Sequence, residues 1–504
     1  MKSVHKSCRK LACLLPATLL VMAASAPGAT KTWDGGAATL NWGDGANWDT
    51  DGIPAINDTI RFDGGIAASA TVNVNVGTLS SPGSTSLALN NGAGFTLDFN
   101  QTGGSYNYIP TVAVSDAQTY FITGAAGKTF AFPTGTQTFN VADGGKLGFT
   151  GNVVVAGYAS TNISKTGAGE LDLTGFTNTE GGSINALTIS GGTLRAPVRP
   201  GRTILNSTGA TSLSLSGTPG NSYLDAGSRS VAVSDTLTLN GVTLHNDALV
   251  TAWVATTATV HLTNGGGLDV RGQSNVSIDQ LTGTGNVYNS YSTATLTVGA
   301  NGGSSTFEGV IYGSAGTAGG VQNYGRATYD GNSATLGLTK TGTGTLTLTN
   351  TSVYTGATLV SAGTLLVNGA LGNTAVTVGA DGAIGGDGIL GGTLNFAAGA
   401  DLVFSTTATL TVNGTTVSFA DFRVGNLAGL TSAVDPGIYH LIDGAATVNP
   451  DNLANIGLAN AHDLGGGKQA YFEIGSLNLV VIPEPSAALL GGLGMLVLLR
   501  RRRN

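Results

Sequence analysis

The chain has 504 residues, a formal charge of −7, 41% apolar residues and only 10% charged ones, with 79 glycines against five glutamates. That composition is poor in helix formers and offers no basic stripe to release counterions from nucleic acid, so a helical bundle and a nucleic-acid partner are both disfavoured. So much glycine also suits low-complexity disorder, but the apolar fraction and its regular placement point to a folded chain.

Lys2, Lys6, Arg9 and Lys10 precede an apolar run of fourteen residues, Leu11 to Ala24. This is the length of a signal peptide rather than of a membrane span, and it implies the Sec translocon and signal peptidase as partners. Residues 1–29 are assigned to the leader. The cut is open: Ala24-Ser25-Ala26 has the small-residue pattern, but Pro27 would follow it, and cuts after Ser25 or within 26–29 also fit. Both cysteines, Cys8 and Cys13, lie in the leader, so an exported mature chain takes its stability from burial and backbone pairing, not from disulfides. Trimming both ends removes eight basic residues and one acidic one, which leaves residues 30–482 with 14 against 28, a charge of about −14.

Residues 30–63 hold Trp33, Trp42 and Trp48, three of the four tryptophans, among Asp34, Asp44, Asp49, Asp51, Asp58 and Asp63. One reading is a carbohydrate platform, with indoles stacking on sugars and carboxylates binding hydroxyls. The preferred reading is an N-terminal cap, in which large aromatics plug the open end of the core.

From there the chain alternates with period two, closed repeatedly by Gly or Asn. Thr71-Val72-Asn73-Val74, Phe95-Thr96-Leu97-Asp98-Phe99, Ser212-Leu213-Ser214-Leu215, Thr236-Leu237-Thr238-Leu239, Thr295-Leu296-Thr297-Val298 and Thr345-Leu346-Thr347-Leu348 are examples. Each predicts a half-buried strand ended by a tight turn. The chain also repeats itself: Lys165-Thr166-Gly167-Ala168-Gly169-Glu170-Leu171-Asp172-Leu173-Thr174 recurs as Lys340-Thr341-Gly342-Thr343-Gly344-Thr345-Leu346-Thr347-Leu348-Thr349, and Gly192-Thr193-Leu194 as Gly363-Thr364-Leu365. Leu281-Thr282-Gly283-Thr284-Gly285 is a weaker third echo. Repetition of this kind predicts a solenoid, with outward Thr, Ser and Asn and an inward ladder of Leu, Val and Ile. Coils of about 20–25 residues would number roughly 18–22 and make a rod about 90–105 Å long.

Residues 338–369 resemble the autotransporter-associated β-strand repeat (PATR). The match is carried by Lys340, Gly342, Gly344, Tyr354, Thr355, Gly356, Gly363, Thr364 and Leu365. The copy at 163–196 departs from it, with Phe176-Thr177-Asn178 in place of the Tyr-Thr-Gly turn. Similar Trp/Asn/Asp openings accompany proteins with this repeat, and the resemblance implies a right-handed parallel β-helix, an all-β fold, here expected over about 64–400. Classical members end in a membrane barrel of alternating strands; this chain ends otherwise, as a passenger without its own translocator.

Other chemistry is thin. Gly379 to Gly392 has the Gly/Asp content of calcium-binding nonapeptides without their tandem register, so Asp381 and Asp387 read as turn residues. His245, His261, His440 and His462 are scattered, and no metal or cofactor is expected. Carboxylates meeting across coils remain the route to a polysaccharide lyase or glycosidase, above all in a cleft that also holds Arg195, Arg199 or Arg202.

Residues 401–482 are expected to be a mixed β segment. Pro450 to Ala461 is a small helix candidate, and Gly437 to Ile442 and Leu477 to Val481 are strands that close the solenoid. The tail combines Pro483-Glu484-Pro485, thirteen apolar residues from Ala487 to Leu499, and Arg500, Arg501, Arg502 and Arg503. The prolines keep the tripeptide extended, the run is short of the ~20 residues a stable span needs, and the arginines resist crossing a bilayer. It resembles the PEP-CTERM sorting signal, which implies processing by an exosortase after transient inner-membrane anchoring in a Gram-negative cell. The expected function is a surface or extracellular-matrix solenoid with a structural or adhesive role and no catalysis, with extracellular polysaccharide as a candidate partner. The alternatives are the β-helical enzyme and a carbohydrate-binding surface protein.

Overall fold

The computed structural model describes residues 28–501 apart from 51, 56, 76–84, 101–110, 125–129, 133–134, 152, 156–159, 176–182, 199–200, 220, 227–230, 246–256, 272–274, 314–334 and 474–476. The leader through residue 27, the Phe176-Thr177-Asn178 turn, Arg199, Arg502 and Arg503 lie outside the described residues.

The alternating segments form a parallel β-solenoid. On one face sixteen strands stack in unbroken succession, from Thr71–Val74 to Leu427–Ala428, about 72 Å at the ordinary inter-strand spacing. Inward positions coincide from coil to coil: Tyr120, Leu147, Leu171, Leu194, Leu213, Leu237, Val260 and Leu281 are successive partners. All of them are buried. Their outward neighbours Thr71, Thr96, Phe121, Gly148, Asp172, Arg195, Ser214, Thr238, His261 and Thr282 also lie in register. Because the side-chain period is two, one residue of slip would turn every leucine to solvent, which fixes the register.

Coil length varies more than the expected 20–25 residues. Val376 pairs with Leu394, 18 residues on, whereas Thr30 pairs with Thr59, 29 on, and Thr293 with Thr335, 42 on. Insertions at corners lengthen a coil without raising the rod, so the face has fewer coils than 18–22. The parallel pairing also begins earlier and ends later than expected. Thr30–Thr32 already pairs with Thr59–Phe62, and Thr416–Phe419 with Thr447–Val448.

Beyond the last coil lies a four-stranded antiparallel sheet. Gly437–His440 and Lys468–Glu473 flank Asn478–Pro483, and His462–Gly465 pairs with Lys468–Glu473. Phe422 stacks on Phe472 with centroids 6.1 Å apart, which joins this sheet to the core ladder of Phe396 and Phe419. The helix expected over 450–461 is absent: the segment makes turns, a bridge from Leu453 to Phe422 and a single 3-10 turn at Leu458–Asn460. Asn452 and Asn455 have φ of 62° and 57° and Gly457 of 71°, conformations that stop an α-helix. The helix in the tail runs Pro485–Arg501.

Candidate functional site

The repeat turns are built around a buried lysine. Lys340 sits in an inward column between Val298 and Val360, and Lys165 between Phe139 and Ile189. Both are fully buried. The aliphatic stem of each fills a core position, and the ammonium ends at the corner. There Lys340 Nζ donates to Thr341 O at 2.6 Å, Gly342 O at 3.0 Å and, one coil on, Ala362 O at 3.2 Å. Lys165 Nζ repeats the set with Thr166 O at 2.9 Å, Gly167 O at 2.7 Å and Gly191 O at 3.1 Å. An ammonium has three protons and no acceptor, so three carbonyls satisfy it fully. Burial pushes Lys165 down to about 8 and lowers Lys340, the latter partly restored by Asp279.

The glycines explain themselves in the same frame. Gly342 and Gly363 have φ of 64° and 67°, and a Cβ on Gly363 would lie 2.2 Å from Gly342 O and 2.8 Å from Lys340 Nζ. Gly344 and Gly356 have no room either, with Gly303 O and Leu336 O at 2.3 and 2.4 Å. Tyr354 is buried, its hydroxyl 2.7 Å from Thr358 Oγ1, which continues to Thr374 Oγ1 at 3.0 Å and on to Gly356 O. Thr355 opens the Thr355-Gly356 turn; Thr364 N donates to Gly344 O, and Leu365 is core. The echo at 281–285 is not a third copy in place. Leu281 belongs to the face after the lysine corner, in column with Leu171 and Leu346's strand rather than with Lys165, and its glycines turn the following corner.

Trp33, Trp42 and Trp48 are 3%, 0% and 0% exposed. They pack on one another and on Phe62 with centroids 4.8–5.9 Å apart, and Phe62 passes the stack to Phe95 and Tyr120. Trp48 Nε1 donates to Trp42 O at 2.9 Å. Stacking on a sugar needs an accessible ring face, and these indoles have none, so the carbohydrate platform is corrected to an aromatic plug. The aspartates fix backbone instead: Asp49 accepts from Thr32 N, Asp34 from Gly36 N, and Asp58 from Ala29 N and Ala55 N.

Carboxylates and cations do converge across coils at Arg195, one of the basic residues named from the sequence, whose spacing does not single out its partners Lys146, Glu170 and Asp172. Lys146 Nζ lies 3.0 Å from Glu170 and 3.3 Å from Asp172, and Arg195 Nε 2.9 Å from Glu170. Burial would lower Lys146, but Glu170 and Asp172 outweigh it and raise its pKa; burial would raise Asp172, but Thr174 and Lys146 hold it down. Both groups are thus kept charged on an open face, in one ion network with Glu170 and Arg195. A second polar column is buried: Asp225 pairs with His245, and Asp269 stands on the next coil. Ser290 donates to Asp269 at 2.6 Å, and burial, offset by Ser290 and Arg271, leaves Asp269 at about 6. No group of three metal-binding side chains occurs among the described residues. Asp387 lies in the bend between the strands Val376–Gly385 and Ile389–Leu390, but Asp381 falls inside the first of these strands, paired with Ala362 just after a register shift, and not in a turn.

At the tail, Pro483 ends a strand opposite Lys468, Glu484 N donates to Gly467 O at 2.8 Å, and Pro485 opens the helix. Leu493 to Leu499 are exposed along it. Among the described residues no helix is long and apolar enough to cross a membrane.

The passenger-associated-transport-repeat family model matches residues 163–196 and 338–367. Both segments carry that repeat. They are the two stretches that contain the buried lysine corners, so the repeat's signature residues are the ones that shape a coil. No curated protein and no solved structure matches the chain. With its two transport repeats in one continuous parallel stack, the chain fits a secreted or surface passenger-like solenoid.

Proposed function

We propose that the protein is an exported solenoid with a structural or adhesive role at the cell surface or in the extracellular matrix, without catalysis, released from the inner membrane by an exosortase acting at or near Pro483-Glu484-Pro485. The observation that carries the reading is the join between body and tail. The antiparallel sheet beyond the last coil ends at Pro483, and an apolar helix with exposed leucines begins two residues later. At 17 residues that helix is about 25 Å long, short of the ~30 Å hydrocarbon layer, which suits a temporary anchor. The outer faces of Thr, Ser and Asn suit a matrix component that carries little charge.

The test is intact-mass measurement of the surface-associated protein. A mass ending near residue 483 is expected; a surface form that keeps Arg500 to Arg503 overturns the sorting reading. The Lys146, Glu170, Asp172 and Arg195 cluster gives the enzyme reading its best footing, and reproducible cleavage of any member of a polysaccharide panel by the purified chain would establish it in place of the structural one.

A further inference from the structure

The corner loops before three successive strands enclose a groove of about 380 Å³ on the outer face near the N-terminal end. Its polar rim is Ser69, Thr96, Gln118 and Thr119, Gly94 forms part of the floor, and Phe121 stands at one side. No lining residue is charged. Lys146, opposite Thr119 on the next coil, is already engaged by Glu170 and Asp172.

The loops are held by a network of buried and half-buried polar side chains. Buried Asn91 accepts from Ile66 N and donates to Ile66 O and Ala93 O, while its own N–H donates to Tyr120 Oη at 3.0 Å. Tyr120 Oη donates to Asp116 at 2.6 Å, and the same carboxylate accepts from Gly92 N. Ser69 N donates to Gly94 O at 2.7 Å. Three coils are therefore tied into one rigid floor, so a ligand need not order it. Phe121 is an aromatic residue on an outward column otherwise rich in threonine, and its register partner is Gly148, where a Cβ would come within 2.7 Å of the ring. A glycine inside a strand weakens it, and here it makes room for the ring.

We propose that this groove binds an extended, uncharged, β-linked polysaccharide lying along the solenoid axis. Thr96 and Phe121, both in the lining, are register partners one coil rise of about 4.8 Å apart, close to the advance per sugar of such a chain. One aromatic ring with hydroxyl and amide groups around it matches the apolar face and hydroxyl edge of a pyranose. The absence of charge in the lining matches a neutral polymer and gives an anionic one nothing to pair with. The inference rests on the proposed extracellular role, where such polymers are met.

The test is calorimetric titration of the purified full chain in detergent with cellohexaose, mannohexaose, hexagalacturonate and a β-strand-forming peptide. At least one neutral hexamer is expected to bind. Phe121→Ala should weaken it about tenfold or more at an unchanged thermal midpoint, and Phe121→Trp should retain it. Should Phe121→Ala fail to fold, Gln118→Ala at the rim gives the same reading. No binding of either neutral hexamer, parental affinity in the Phe121→Ala and Gln118→Ala variants, or preference for hexagalacturonate or the peptide overturns the proposal. Tail processing, followed by mass in cells, is expected to be unaffected by Phe121→Ala, so failure of the groove and failure of the surface reading give different results.

Discussion

Lys340 Nζ lies 3.2 Å from the carbonyl oxygen of Ala362, the corresponding corner of the next coil. One side chain thus closes its own turn and ties that turn to its neighbour. Lys340→Met keeps the stem in the core but leaves three carbonyls without their donor. Relief of the ammonium's desolvation offsets part of that loss. A net loss of about 1–3 kcal/mol is expected, read from the urea midpoint, and Lys165→Met should behave alike. A variant as stable as the parent would mean that the clamp contributes nothing.

The same lysines give the fold a definite pH dependence. Lys165 falls from an ordinary 10.5 to about 8 on folding, and Lys340 shifts the same way. Between those values the unfolded chain holds a proton that the folded chain has lost, so this contribution makes stability rise with pH from about 8 to 10. Above 10 the sign reverses. Burial raises the phenols of Tyr120 and Tyr354, so the unfolded chain ionises first and stability falls. The urea midpoint measured across this range should climb and then drop, and the double lysine-to-methionine variant should lose the climb. A profile that the double variant leaves unchanged counts against a buried ammonium.

Two glycines, Gly457 beyond the coils and Gly363 in the repeat, separate two effects. Gly457 has φ of 71° with open space around it, so Gly457→Ala meets backbone strain alone, about 1–2 kcal/mol. Gly363 has the same sign of φ and also backbone oxygens 2.2 and 2.5 Å from its Cβ position, so Gly363→Ala should lose more than about 3 kcal/mol. Equal effects in the two variants would remove the close coil contact from the explanation.

Much of this was legible in the sequence, and what was missed has a common cause. Alternation in Thr236-Leu237-Thr238-Leu239 identifies its inward residues outright, because period two needs only neighbours. Lys340 and its glycines stand out by repetition, but the lysine's burial does not, since a charged residue ordinarily reads as surface. The convergence of Lys146, Glu170, Asp172 and Arg195 depends on register between coils of unequal length, 24 residues from Lys146 to Glu170 and 23 from Asp172 to Arg195. Sequence spacing cannot reveal that. The echo at Leu281 misleads for a related reason: Thr-Gly-x-Gly marks a corner without saying which corner of the coil it turns.

The aromatic plug makes the N-terminal end a matter of stability. Trp42→Ala opens a cavity beside Trp48 and Phe62 and should cost about 3–5 kcal/mol. The loss is expected in the thermal or urea midpoint. A variant of parental stability that has lost glycan binding would restore the carbohydrate platform.

Processing can be separated from folding at Glu484. Its backbone N–H donates to Gly467 O at 2.8 Å, a bond that Glu484→Ala keeps. The helix that follows is also unchanged, and with it the affinity for a bilayer. The tripeptide offered to a processing enzyme is altered, so unprocessed chain should accumulate in the membrane fraction while the body still unfolds cooperatively in urea. Neutral residues in place of Arg500 to Arg503 should act differently, by loosening the topology that positive charge imposes at the end of an apolar run. Normal release of Glu484→Ala with a normal mass would show that the tripeptide is not read, and the tail would then be a plain anchor.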